Sequence, residues 1–336
     1  MNKFSWYDAK TVEDALKQVN TTASEALQPG SSENTAIFKC GGTDLLDLMK
    51  EGLLTPQKIV NIRTISGLDR ISYDRKTGLR IGANATLSQI ASEPVVKENY
   101  LAFKQAVAHA ATPQIRNMAS LGGNLAQRTR CWYFRSIDHQ CLRKGGNSCF
   151  ARHGENEYHA IMENGLCVSV HASSVATALM AFDARIEITG AKGRKKEVPM
   201  DKFFVLPEDD VSRESILKAD ELITAVIIPP VTANTRSCYI YQGARESHDW
   251  PLADVAVVLE LSGTSCKNAT VVLGAAAPIP LKAEAASHAL TGRLINEETA
   301  VAAGEASMQG AMALSKNAYK IPIFKAIVKR AVLGCL

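Results

Sequence analysis

Ala36-Ile37-Phe38-Lys39-Cys40-Gly41-Gly42-Thr43-Asp44-Leu45-Leu46-Asp47-Leu48-Met49 changes its periodicity halfway along. Ala36 to Lys39 is a short apolar run of strand type, whereas Leu45, Leu46, Leu48 and Met49 recur at helical spacing. The joint between them, Gly41-Gly42-Thr43-Asp44, predicts a strand, a glycine turn and a helix in succession. At such a joint the bare glycine backbone lets N–H groups converge on an anion, and the helix N-terminus adds a favourable dipole. A pyrophosphate suits it, and an ordinary Gly-Gly turn is the alternative.

Upstream of this unit, Thr11 and Asp14 resemble a capping box ahead of Val12, Ala15, Leu16 and Val19, which predicts a helix. Downstream, Ile59 to Ile62 and Leu79 to Ile81 read as strands, and Leu87 to Ile90 and Leu101 to Ala111 as helices. A second diglycine follows in Ala119-Ser120-Leu121-Gly122-Gly123-Asn124-Leu125, where missing side chains again permit a flat ring or a phosphate to approach the main chain. Neither segment is a GxGxxG fingerprint with a downstream acid, so a Rossmann dinucleotide site is not supported. Ala176 to Ala181 reads as helix, Arg185 to Thr189 as an alternating strand, and Ile223 to Pro230 as an apolar strand stopped by two prolines. The domain boundary is placed there, giving domains 1–230 and 231–336. The second opens with three strand-like runs (Cys238 to Gly243, Val255 to Leu261, Ala269 to Ala275) and closes with Ala-rich helices from Lys282 onward. A three-stranded antiparallel meander backed by helices is an α+β layer with its own core.

The chain has 336 residues and 46% hydrophobic composition, enough to bury a core in each of two domains without disulfide staples. A net charge of +4, spread without a long basic run, indicates neither a nucleic-acid nor a membrane surface. No apolar stretch reaches the roughly 18–20 residues of a membrane span, and MNKFSWYDAK lacks the apolar core of a secretory signal, so no export signal is expected on this chain.

Within the first domain lies a polar stretch, Gln127 to Asn164, that reads as a long ordered loop with a task of its own. It carries most of the set Cys131-x9-Cys141-x7-Cys149-x17-Cys167. Four thiolates suit a [4Fe-4S] cluster or a zinc ion, although the close CxxC pairs usual for zinc are absent. Scattered buried thiols or disulfides are the plainer alternatives. Arg130, Arg135, Arg143, Lys144 and Arg152 surround the set and would offset the charge of a thiolate-bound cluster; His139, His153, His159 and His171 read as structural. Cys40, Cys238, Cys266 and Cys335 are isolated and read as small buried hydrophobes. Nothing in the sequence supports hydrolysis.

Taken in order, KCGGTDLLDLMK (39–50), MASLGGNLAQRTRCWYF (118–134), GLCVSVHASSVATALMAF (165–182) and ELITAVIIPP (221–230) resemble the FAD-binding medium subunit of the xanthine dehydrogenase and aldehyde oxidase family. The resemblance covers nearly the whole chain and implies a two-part FAD-binding domain of the PCMH type followed by a smaller C-terminal flavoprotein domain from about Cys238. The insertion of about 127–168 further resembles the branch of bacterial aldehyde oxidoreductases and 4-hydroxybenzoyl-CoA reductase, in which it holds a [4Fe-4S] cluster on four cysteines, here Cys131, Cys141, Cys149 and Cys167. The resemblance implies that Phe38, Lys39, Cys40, Gly41, Gly42, Thr43, Asp44 and Leu45 wrap the FAD diphosphate. It also implies that Ser120, Leu121, Gly122, Gly123 and Asn124 lie along the cofactor, that Ala110 lines it, and that Leu222 and Ile223 touch the flavin ring. Ser174 stands where the family's His-Pro-Ser-Asp, here His171-Ala172-Ser173-Ser174, usually has an FAD-contacting carboxylate. A lysine often found near the flavin is not evident at Gln242-Gly243, so the acceptor cannot be inferred from NAD-using relatives.

The same resemblance implies partners: a small subunit with [2Fe-2S] clusters, a large subunit with a molybdopterin cofactor, and a small-molecule electron acceptor, in the cytoplasm or, with a partner's export signal, in the periplasm. Aldehyde oxidation by the whole assembly is the expectation. The alternatives are an aromatic-CoA reductase of the 4-hydroxybenzoyl-CoA type, a xanthine or purine dehydrogenase, and, from another class, a zinc-stabilised interaction module.

Overall fold

The computed structural model describes every residue of the chain except Glu33 and Ser247. Its first part is a small parallel sheet of β1 (Ser5–Asp8), β2 (Ala36–Lys39) and β3 (Lys58–Asn61), with β3 in the centre. Two helices serve it, α1 (Val12–Gln18) and α2 (Leu45–Lys50). The expected N-cap of α1 is present, Thr11 Oγ1 accepting from the Asp14 N–H at 3.0 Å. The apolar positions of α2, Leu45, Leu48 and Met49, pack with Ile37 and Ile59. β1 has no counterpart in the sequence reading: Ser5-Trp6-Tyr7-Asp8 is mostly exposed, so it shows no buried alternation.

The second part is an antiparallel sheet in the order β4-β5-β8-β6-β7, built from β4 (Ile71–Asp74), β5 (Gly78–Gly82), β6 (Arg185–Gly190), β7 (Lys195–Pro199) and β8 (Glu221–Ile228). Between β5 and β6 the chain forms α3 (Leu87–Ser92), α4 (Pro94–Asn99), α5 (Leu101–His109), α6 (Pro113–Arg116), α7 (Leu121–Leu125) and α8 (Ser174–Ala181). The expected long loop joins α7 to α8, held by two single 3₁₀ turns at Leu142–Lys144 and Phe150–Arg152.

The C-terminal part is an antiparallel sheet of β9 (Thr235–Gly243), β10 (Pro251–Ser262), β11 (Ser265–Gly274) and β12 (Leu281–Lys282), in the order β12-β11-β10-β9, covered by α9 (Glu284–Leu290), α10 (Glu297–Ser307) and α11 (Lys320–Leu333). The sheet thus has four strands rather than the three expected; β12 pairs through only Leu281 and Lys282, too few residues to leave a period in the sequence. Val255, Val257 and Leu259 of β10 face Phe324, Ile327 and Val328 of α11, while Ala256 and Val272 join Phe103, Val107 and Leu179 of α5 and α8. With both faces covered, Val255 to Leu259 is apolar without a break. α5 and α8 therefore belong to one core with the C-terminal sheet. Among the described residues no helix is long and apolar enough to cross a membrane.

Candidate functional site

The glycine turn sits at the C-terminal end of β2, where parallel strands leave their connections, and its shape follows from its two glycines. Gly42 has φ +78°, the left-handed region that glycine enters without strain. At Gly41 a side chain is barred by its neighbour: a Cβ there would stand 2.0 Å from the Met118 carbonyl oxygen. The two diglycine segments thus pack backbone against backbone. The amides of Gly42, Thr43, Asp44 and Leu45 have no protein acceptor among the described residues. Four consecutive donors at the start of α2 point to an acceptor supplied from outside the chain.

The second bend is built differently. Leu121 and Gly122 donate their N–H groups to the carbonyls of Ala85 and Ala83 at 2.9 and 2.8 Å. Gly123 donates to Ser120 Oγ at 3.2 Å, capping α7, and Asn124 to the Ser120 carbonyl at 2.8 Å. All four amides are satisfied internally.

Two cavities, with about 1120 and 970 Å³ of empty space, share Thr43, Asp44, Gly123 and Gln127 as walls and so form one trough. One end lies over Thr21 to Ser24 and Leu217 to Ala219, its floor the run Phe38 to Leu45 with Ser120. The other end is lined by His109, Ala110, Ala111, Asn124, Ser174, Tyr239, Tyr241 and Trp250. Most of the residues singled out in the sequence meet here. Leu121 and Gly122 lie in the buried support beneath, and Leu222 and Ile223 line neither cavity. Leu222 packs near Phe38 and Cys40, at the Thr21 end, and Ile223 lies in the main core. From that strand it is Glu221 that reaches the trough.

Sequence reasoning missed the aromatic end. His109 stacks on Tyr241 with centroids 5.9 Å apart. Ala111 has φ +49°, a strained backbone for a residue with a side chain. Arg116 Nη1 donates to the Ala110 and Ala111 carbonyls at 2.9 and 2.7 Å and holds that kink at the trough wall. Behind the wall Tyr239 Oη donates to Asp254 Oδ2 at 2.8 Å. Burial raises the Asp254 carboxyl to about 6 and holds Tyr239 well above the ordinary phenol value.

Cys131, Cys141, Cys149 and Cys167 line one smaller cavity of about 300 Å³ with Phe134, Arg143 and Phe150. None of the eight cysteines is disulfide-bonded. Among the described residues no three His, Cys, Asp or Glu side chains lie close enough together to hold a single metal ion. Within the cage a hydrogen bond from Cys149 and the Arg143 guanidinium hold Cys167 well below the usual thiol range, against its burial, while burial pushes Cys131 up to about 12. Of the five basic residues expected to surround the thiols, Arg143 and Lys144 are buried at 1% and 3% exposure beside them. Arg130 and Arg135 turn instead to Asp44 and Asp47, and Arg152 donates to the Asn164 carbonyl. Arg128, which the sequence did not single out, is also buried, its Nε 2.6 Å from Glu214 Oε2; Arg143 Nη1 lies 3.5 Å from the other oxygen of the same carboxylate. His159 Nε2 lies 3.2 Å from Cys131 Sγ.

Residues 2–231 match the family described as the FAD binding domain in molybdopterin dehydrogenase, and residues 239–334 the CO dehydrogenase flavoprotein C-terminal domain. The chain is 33% identical over 283 residues to the aldehyde oxidoreductase FAD-binding subunit PaoB of Escherichia coli (strain K12), covering 82% of this chain and 85% of that protein. It is 24% identical to the carbon monoxide dehydrogenase medium chain of Hydrogenophaga pseudoflava, covering 98% and 96%. In fold it superposes on a chain of the reconstituted CO dehydrogenase from Oligotropha carboxidovorans with a TM-score of 0.75, at 21% identity, over 99% of this chain and 98% of that one.

Proposed function

Because the chain belongs to the FAD-binding medium subunits of the molybdenum hydroxylase family, we propose that it is the FAD- and [4Fe-4S]-carrying electron-transfer subunit of an aldehyde-oxidising complex. In this reading a small [2Fe-2S] subunit delivers electrons released at a molybdopterin subunit, and an external small molecule accepts them. The aldehyde assignment rests on the 33% identical relative, whose name carries that activity. Bound FAD supplies the exchange between one- and two-electron steps, and this chain supplies its place and surroundings.

Residues 1–230 would bind the cofactor, 231–336 would close its aromatic end, and the insertion of about 127–168 would hold the cluster. The free amides of Gly42 to Leu45 would donate to the diphosphate oxygens, with Phe38 to Cys40 beneath them. Gly123 and Asn124 would run along the cofactor where the two cavities join, and Ala110 and Ser174 would border the ring end beside Tyr239 and Tyr241. Their part is to orient the ring and keep water from it.

The observation that carries the cluster assignment is a surplus of buried positive charge. Arg143 and Lys144 are 1% and 3% exposed beside the thiols, and among the described residues Glu214 is the buried acid that meets Arg143, a carboxylate it shares with the buried Arg128. Unbalanced buried cations are costly, and an anionic thiolate-ligated guest offsets them. The spacing of the four cysteines lacks the close CxxC pairs usual for zinc, which favours a cluster over a single zinc ion.

The test is cofactor analysis of the purified complex. One FAD per copy of this chain is expected, together with iron and acid-labile sulfide that fall by about four atoms each, one cubane's content, in Cys149→Ser. Aldehyde-dependent bleaching of the flavin absorption is expected as well. Iron content unchanged by that substitution would overturn the cluster assignment, and the absence of any aldehyde turnover would overturn the substrate.

A further inference from the structure

The glycine turn and the thiol cage are joined by a compact ionic knot. Asp44, the residue before α2 and a wall of the trough, uses its carboxylate to hold the segment that follows α7. Its Oδ2 accepts the Arg128 N–H at 2.9 Å, and its Oδ1 lies 2.7 Å from Arg135 Nη2 and 2.9 Å from Arg130 Nη2. One helical turn on, Asp47 Oδ2 lies 2.9 Å from Arg135 Nη1. Arg135 then closes the strap on itself, donating from Nε to the Thr129 carbonyl at 2.9 Å and from Nη2 to the Arg128 carbonyl at 3.1 Å. Cys131 lies inside this strap, and its carbonyl accepts the Arg135 N–H at 3.0 Å.

Asp44 therefore serves two sites with different groups. Its main-chain N–H is one of the four free donors of the turn; its carboxylate fixes the segment that carries the first thiol of the cage. The Arg135 fork bridges two carboxylates one turn apart, Asp44 just before α2 and Asp47 on it, a fixed planar geometry that a lysine cannot reproduce. At 12% and 16% side-chain exposure, Arg135 and Asp44 are shielded enough for their pairing to be stiff. Arg135 itself lines neither part of the trough.

We propose that Asp44 and Arg135 are positioning residues through which the thiol cage and the phosphate-holding turn fix one another's geometry, so that filling either site strengthens binding at the other. The proposal rests on the assignment of FAD and a cluster made above. Reciprocity is required: whatever factor the filled cage adds to FAD affinity, bound FAD adds to retention of the cage's contents.

The experiment uses the intact complex carrying the wild-type chain, Arg135→Met, Arg135→Lys, Cys131→Ser or the Arg135→Met/Cys131→Ser pair. Fluorescence of released flavin gives the FAD Kd, metal analysis the iron, and circular dichroism the fold. Arg135→Met is expected to raise the FAD Kd at least about fivefold, the lower end of ordinary coupling between sites, and to lower iron content although it touches neither thiol nor trough. Arg135→Lys should fall between it and wild type. Cys131→Ser should raise the FAD Kd by a similar factor, and the pair by no more than either alone, because both act through one connection. A folded Arg135→Met or Arg135→Lys with wild-type FAD affinity overturns the proposal, as does a Cys131→Ser that loses iron and still holds FAD as tightly. Failure of the underlying assignment would show separately, in a wild-type chain without FAD or iron of its own.

Discussion

The two diglycine bends look alike in sequence and lie against each other in space, yet they use their main chains in opposite ways. At Gly41-Gly42 the amides that follow are unpaired and the turn is a set of donors. At Gly122-Gly123 every amide is already bonded to Ala83, Ala85 or Ser120, so this bend is a rigid wall whose lack of side chains lets a ligand come close. A diglycine is therefore a statement about approach, and only its hydrogen-bond accounting tells whether it also grips.

The contrast is broken most severely at Gly41. A Cβ there meets the Met118 carbonyl at 2.0 Å, and backbone cannot step aside as a side-chain tip can. In Gly41→Ala the turn must move relative to the second bend, a displacement of the kind that costs about 1–3 kcal/mol, which corresponds to a roughly five- to 150-fold weaker hold on FAD. Flavin content of the purified complex after dialysis reads this directly. Full retention would mean that the turn tolerates displacement and that its amides do not dominate binding.

That turn was also the most legible part of the chain, because strand, glycine and helix signals follow one another within fourteen residues of continuous sequence. Helical spacing likewise disclosed α2, α5 and α8, and apolar runs disclosed β8 and β10. Elements whose contacts are few or whose faces are exposed, β1, β4, β7 and β12, left no pattern to read. The thiol spacing drew attention to the cage, but only the fold shows that the four sulfurs share one hollow and that Arg130 and Arg135 serve Asp44 and Asp47 instead. The aromatic end escaped altogether: His109, Tyr239, Tyr241 and Trp250 come from segments up to 141 positions apart in number (109 to 250), and single aromatics in unrelated segments read as ordinary core.

Acid separates the bends next. The second bend is tied through Asn124 Oδ1, which accepts from Ser173 Oγ at 2.6 Å, to the segment carrying His171. Burial, with Arg143 nearby, pushes the His171 imidazole down to about 3, and burial pushes His159 down to about 4. Both rings are therefore held neutral in the folded state below the unfolded value near 6.5. The stability they contribute is complete above that pH and is lost as pH falls through the window below it, by up to about 1.4 kcal/mol per unit for each ring. Denaturant unfolding at pH 7 and pH 5.5 should show a smaller loss of stability on acidification in His171→Gln than in the wild type. An unchanged slope would mean that His171 takes up a proton without unfolding this segment.

A smaller effect is expected at Gly122, where the comparison with Gly41 is sharpest. A Cβ there meets Ala83 Cβ at 3.0 Å and the Ala83 carbonyl oxygen at 3.3 Å, a crowding of tenths of an ångström rather than an overlap. Alanine is also the better residue within α7 by about 1 kcal/mol, which offsets part of the strain. Gly122→Ala should cost about 1 kcal/mol in unfolding free energy and leave FAD content close to wild type. Flavin loss equal to that of Gly41→Ala would show that both bends grip alike.

The gentlest test is Ser120→Ala, which removes the hydroxyl that accepts the Gly123 N–H and thereby frees one amide of the second bend. Loss of such a cap typically costs about 1 kcal/mol, so thermal unfolding should move down by a few degrees. If Ser120 serves only α7, FAD affinity will follow that small loss of stability and no more, since the four free donors of the first turn are untouched. Ser120 also lines the trough, which gives the result a second use. A drop in FAD affinity without any fall in the unfolding temperature would mean that the hydroxyl touches the cofactor itself, and that the second bend contributes a side chain where the first contributes main chain.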